Sequence, residues 1–132
     1  MAAETKWLIW TLAVGALFVL PYVLDRILGR GLFGAMANPS PADKPQSGWA
    51  DRAQAAHQNF VENIVIFAPL VILIQVLDMS SPLTTQAAMV FFGARVAHYV
   101  IYVLGIPVLR TLAFLIGYAA MAVIALHLLG YA

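Results

Sequence analysis

A chain of 132 residues that is 63% hydrophobic and 10% charged, with a mean hydropathy of +0.89, does not describe a water-soluble domain; ordinary globular chains are about 45–50% apolar and about 25% charged. Seven Lys and Arg against six Asp and Glu leave a net charge of +1, which gives no field for a polyanion and excludes nucleic acid as a partner. With no cysteine, disulfides, thiolate metal ligands and a protein thiol nucleophile are excluded too, and the length suits one domain of about four membrane helices.

The first hydrophobic run, Trp7 to Leu24, carries no charge and is long enough to span a bilayer. A cleaved leader is the competing reading, but Glu4 lies in its leading segment and no small-x-small cleavage site precedes Pro21. A helix over about 6–28 is therefore expected, ended by Asp25, Arg26 and Arg30. Residues 31–49, rich in Gly and Pro, read as a polar loop. A second helix over about 50–77 has a polar first third and an apolar remainder, and Asp78, Ser80, Ser81 and Pro82 make the next turn. The third helix, about 83–104, contains Arg95 and His98, and Gly105 and Pro107 separate it from a fourth over about 108–130. No repeat recurs. The fold expected is an all-α, four-helix transmembrane bundle within a single domain, 1–132.

Arg26, Arg30, Lys44 and Arg52 flank the first connection and Arg110 the third, whereas Lys6 alone marks the other side. The positive-inside bias puts these connections in the cytoplasm and both termini on the non-cytoplasmic side. A charged residue in a membrane helix costs about 2.5–3.5 kcal/mol on insertion scales, so each one present calls for a reason. Asn59, Glu62 and Asn63 from the second helix, Arg95, His98 and Tyr102 from the third, and Arg110 from the fourth converge on one level. At about 100° per residue, Arg52, Ala55, Ala56, Asn59, Glu62 and Asn63 share one arc and His57 points elsewhere. Arg95, His98 and Tyr102 stand at i, i+3 and i+7, also one face.

Plainer roles compete. Glu62 and Arg95 can form a buried ion pair that fixes helix register, a role compatible with ligand contact. A lone His98 is more often an interior histidine than a catalytic one. His127 reads as a packing or interfacial residue, and Trp7, Trp10, Tyr22, Trp49 and Tyr131 as interface anchors. No metal-ligand spacing, phosphate-binding glycine loop or serine-hydrolase elbow occurs, so no metal site is expected.

The segment Arg52-Ala-Gln-Ala-Ala-His57-Gln-Asn59-Phe-Val-Glu62-Asn63 resembles the second-helix signature of the MAPEG family, the membrane-associated proteins of eicosanoid and glutathione metabolism. Arg95-Val-Ala-His98 with Tyr102, Arg110-Thr111 after the Gly105/Pro107 break, Ala37-Asn38-Pro39 and Arg30 are similar to further family motifs in order and spacing. The likeness covers nearly the whole chain and lies toward the bacterial members, related to microsomal glutathione transferases and prostaglandin E synthase. It implies a homotrimer in a bacterial inner membrane, with glutathione as cosubstrate bound between subunits at the cytoplasmic end. Asn59 and Glu62 would hold its polar backbone and amine. Arg30, His98 and Tyr102 would meet its carboxylates and cysteinyl part, with Arg95 in the same set. Arg110 and Thr111 would face the thiol as the catalytic pair. Gln58 and Phe114 depart from the prostaglandin synthase pattern, which has Arg and Tyr there.

The expected activity is a glutathione-dependent transferase, isomerase or peroxidase acting on a lipophilic electrophile that arrives from the bilayer. A non-catalytic lipid-binding scaffold of the same family is the alternative. A proton or solute carrier using Glu62, Arg95 and His98 is a third reading, disfavoured because the outer halves of the helices look almost wholly apolar.

Overall fold

The computed structural model describes all residues, Met1–Ala132, as five helical segments: α1 (Ala3–Leu17), α2 (Leu20–Met36), α3 (Gly48–Val76), α4 (Pro82–Leu104) and α5 (Pro107–Leu128). α1 and α2 together form the first of four helices long and apolar enough to cross a membrane; α3, α4 and α5 are the others. The protein is thus an all-helical, multi-pass integral membrane bundle. α4 and α5 pack together most extensively, α1 lies against α3 and α4, and α2 rests on α3.

The first span is longer than its apolar pattern suggests, and it is broken. Pro21 sits at the start of α2. It has no N–H to offer the Leu17 carbonyl, and its ring crowds that carbonyl. The helix is therefore interrupted at Phe18 and Val19. The Phe18 carbonyl exposed by the break accepts a hydrogen bond from the Tyr99 hydroxyl at 3.0 Å, and the two rings stack at 3.9 Å. Further on, Gly31 takes a backbone conformation open to glycine (φ 75°, ψ 165°). It kinks the chain between two helical stretches, so helical residues continue to Met36 and the loop begins at Ala37 rather than at 31. That loop is tied back to α2. Asp25 accepts from the Ser47 amide (2.9 Å) and hydroxyl (2.6 Å), and Arg30 Nε donates to the Lys44 carbonyl (2.8 Å).

Two apolar clusters hold the bundle. One packs Leu8, Phe67, Val71, Phe91, Met121 and Ile124 around a Phe67–Phe91 stack with centroids 3.8 Å apart. The other gathers Phe18, Tyr22, Ala53, Phe60 and Tyr99. Tyr22 is therefore an interior residue and not an interface anchor, its hydroxyl 2.8 Å from His57 Nδ1. Trp7 likewise packs on Phe92, whereas Trp10, Trp49 and Tyr131 are exposed. Gly15 lets α1 approach α3, because a Cβ there would overlap the Phe60 ring.

The end of the bundle that carries the N-terminus is not wholly apolar. Glu4 is fully buried and accepts from Ser80 Oγ (2.9 Å), Thr84 Oγ1 and Thr85 Oγ1 (3.2 Å). It sits at the N-terminus of α4, where the helix dipole favours a carboxylate. Ser81 and Thr84 complete a capping box at the same point. His127 Nε2 reaches the Met79 carbonyl at 2.9 Å, and Gln75 Oε1 accepts from Ala2 N and Thr5 Oγ1. α1, α5 and the α3–α4 turn are thereby fastened together.

Candidate functional site

At the opposite end, an open cavity of about 260 Å³ is lined by Asn59, His98, Tyr102, Arg110, Thr111 and Phe114. Three helices supply them: Asn59 comes from the polar third of α3, His98 and Tyr102 from the last turns of α4, and the rest from the first turns of α5. The corner between α4 and α5 is only Gly105 and Ile106. Gly105 is left-handed (φ 79°, ψ 29°), and the amides of Gly105 and Ile106 bond to the carbonyls of Tyr102 and Ile101, the helix-terminating pattern that favours glycine. Pro107 then starts α5 with no N–H to waste.

This tight corner folds the start of α5 back on the end of α4. Arg110 lies with its guanidinium carbon 4.2 Å from the centroid of the Tyr102 ring. A guanidinium held over a ring by cation–π attraction leaves N–H groups available to other acceptors. Arg110 is half-buried, so these donors are partly withdrawn from water without being lost to it. Thr111 Oγ1 donates to the Pro107 carbonyl at 3.2 Å, so its proton is committed within the helix.

Behind the lining lies Arg95, only 1% exposed. Its Nη2 donates to Asn59 Oδ1 at 2.7 Å and approaches His98 Nδ1 at 3.4 Å, while Nε and Nη1 have no partner. Asn63 Nδ2 also bonds to Asn59, to its carbonyl at 2.8 Å and Oδ1 at 3.3 Å. Asn59 Oδ1 is thus held from two sides, and its amide NH2 is the group left for the cavity. With Nδ1 of His98 turned to a donor, the proton belongs on Nε2. His98 and Tyr102 meet edge to face at 5.6 Å.

The anticipated Glu62–Arg95 ion pair is not formed. Glu62 is exposed on α3, and Arg95 turns to an amide instead. Glu62 does not line the cavity, nor does Arg30, whose side chain is engaged by Lys44 and, at 3.8 Å, by Asp43. Within one chain, then, five of the eight residues singled out from the sequence (Asn59, His98, Tyr102, Arg110, Thr111) surround one cavity. Arg95 supports it from behind, and Arg30 and Glu62 stand apart. Phe114 completes the wall as its apolar patch.

A model of the MAPEG family matches residues 7–130. The chain belongs to the MAPEG family. No curated protein matches it significantly, and no solved structure does. Membership of this family places the bundle among membrane proteins of glutathione-related transferase and isomerase chemistry at a coarse level.

Proposed function

We propose that this MAPEG protein is a glutathione-dependent transferase, isomerase or peroxidase acting on a lipophilic electrophile, with Arg110 stabilising the glutathione thiolate. The observation that carries this reading is a cavity that holds the edge of one guanidinium, has a second buried behind it, and contains no carboxylate. Such a lining suits an anionic ligand and would be costly to maintain without one. Glutathione fits the donor set: Asn59 offers an amide NH2, His98 an Nε2–H and Arg110 a charged edge, against two carboxylates and a thiol. Glu62 and Arg30, outside the cavity of the single chain, join the site in our reading from the side of a neighbouring subunit, which is where a homotrimer would bring them into use.

A free thiol has a pKa of about 8.5 and is only a few per cent ionised at pH 7. Lowering it by about two units takes about 2.7 kcal/mol of differential stabilisation. One guanidinium at about 4–6 Å supplies about 3–4 kcal/mol at an effective dielectric of 20, so Arg110 alone suffices. The thiol proton leaves to water through the open mouth. The thiolate lone pair forms the new bond to the electrophile, and the displaced electrons depart on its leaving group or opened ring. Phe114 and the apolar helix faces beyond it suit an electrophile dissolved in the bilayer. The cavity would then lie at the cytoplasmic side of a bacterial inner membrane, with both termini opposite, as the distribution of Lys and Arg directs.

Glutathione titrated calorimetrically into the detergent-solubilised protein tests the reading. Saturable binding that weakens in Arg110→Gln and Glu62→Gln is the expected result. Lipid binding with no glutathione heat and no conjugation across a broad electrophile panel would overturn it in favour of a non-catalytic lipid-binding scaffold.

A further inference from the structure

Arg52 opens the polar stripe of α3, two turns before Asn59, yet it does not line the cavity. Its Nε donates to the Val103 carbonyl at 3.0 Å. This carbonyl belongs to the last turn of α4, where four carbonyls lack helical partners. The corner itself satisfies two of them, Ile101 and Tyr102, through the amides of Ile106 and Gly105. Arg52 satisfies the third from another helix and brings a positive charge to the negative end of α4. The same guanidinium lies flat against the corner: a Cβ on Gly105 would stand 3.4 Å from Arg52 Nε and 3.5 Å from Cζ. On its other side, Nη1 would be 3.6 Å from a Cβ on Gly48. Arg52 thus lies beside both glycines and grips, through its hydrogen bond to Val103, the two-residue corner that sets α5 against α4.

We infer that Arg52 is a positioning residue for the candidate site: by clamping the Val103–Gly105 corner to α3 it holds Arg110 over Tyr102 and in line with Asn59. The geometry is economical. α3 supplies both Asn59 and the clamp, so the distance between the amide and the guanidinium across the cavity is fixed by one rigid helix and one hydrogen-bonded corner. Without the clamp, α5 retains its covalent link and its packing lower down, but its first turn is free to roll away from Tyr102. This rests on the proposed reading for its chemical consequence, though not for its geometry.

The full chain, solubilised and carrying 3-fluorotyrosine, tests it by fluorine NMR, with the Tyr102 resonance assigned from Tyr102→Phe. Arg110→Gln defines where that resonance moves when the cation leaves the ring. Arg52→Ala is expected to move it in the same direction, and Arg52→Lys, which keeps a charged donor, to move it back most of the way. Glutathione conjugation in Arg52→Ala should show kcat lowered about tenfold with KM for glutathione changed by less than about twofold. Should Arg52→Ala fail to fold, Arg52→Met, which keeps the apolar stem and removes the donor and its charge, is expected to give the same shift. A Tyr102 resonance unmoved in Arg52→Ala or Arg52→Met overturns the inference. A resonance that moves while wild type itself neither binds nor conjugates glutathione leaves the clamp standing and removes the glutathione reading.

Discussion

Replacing Arg110 by Gln leaves a shorter, neutral, hydrogen-bonding side chain at the start of α5 and takes the charge away from the Tyr102 ring. In the wild type the guanidinium carbon lies 4.2 Å from the ring centroid at the wall of a cavity of about 260 Å³, so a thiol admitted there cannot be far from its edge. At about 4–6 Å the loss of charge withdraws about 3–4 kcal/mol from the thiolate, at an effective dielectric of 20. After partial compensation by water entering the open mouth, a rise of about two units in the pKa of bound thiol is expected. At pH 7 the ionised fraction then falls from about three-quarters to about 3%, roughly a 25-fold loss. The ultraviolet absorbance of the thiolate, followed against pH with glutathione saturating and the apo spectrum subtracted, reads this directly. A midpoint in Arg110→Gln equal to that of the wild type, with glutathione still bound, would refute the assignment of Arg110 to the sulfur.

Glu4→Leu removes a buried carboxylate and leaves the hydroxyls of Ser80, Thr84 and Thr85 without their acceptor; a loss of about 2–4 kcal/mol should lower the detergent thermal midpoint while leaving glutathione affinity unchanged, since the cavity is at the other end. Gly15→Ala drives a methyl into the Phe60 ring and should cost about 1–3 kcal/mol in the same thermal assay, with a smaller residue at position 60 restoring part of it. Tyr99→Phe keeps the stack on Phe18 and deletes one hydrogen bond to its carbonyl, an expected loss of about 1 kcal/mol. Asn59→Asp places a second carboxylate oxygen where Asn59 presents its amide NH2; it should strengthen the hold on Arg95 and weaken glutathione binding, measured by calorimetry.

The spans were legible in the sequence because lipid imposes length and apolarity on every crossing helix. The corner at Gly105 and Pro107 was equally plain, since those two residues punctuate a chain through backbone geometry alone. The i, i+3, i+7 spacing likewise put Arg95, His98 and Tyr102 on one face, as found. What escaped depended on contacts between segments far apart in the chain. Nothing local marks Tyr22 as interior rather than interfacial; that follows from α2 resting on α3 beside His57. Opposite charges made Glu62 the expected partner of Arg95, but helix rotation turned Asn59 toward it and Glu62 outward. Arg52 was visible as part of a motif, whereas its role as a clamp required knowing which carbonyl α4 leaves open. Glu4 read as a charge near the chain start because the three hydroxyls that bond to it lie about eighty positions downstream.

That separation has a consequence for biogenesis. Glu4 and Thr84 are 80 positions apart, and at about 5–20 residues per second of synthesis the carboxylate emerges several seconds before the hydroxyls that receive it. During that interval the leading helix lacks the hydroxyl partners of its acid. Only when the α3–α4 turn and the start of α4 have been made can Glu4 take up its hydrogen bonds. The first helix to be made thus completes its polar contacts only after the start of α4 has been synthesised.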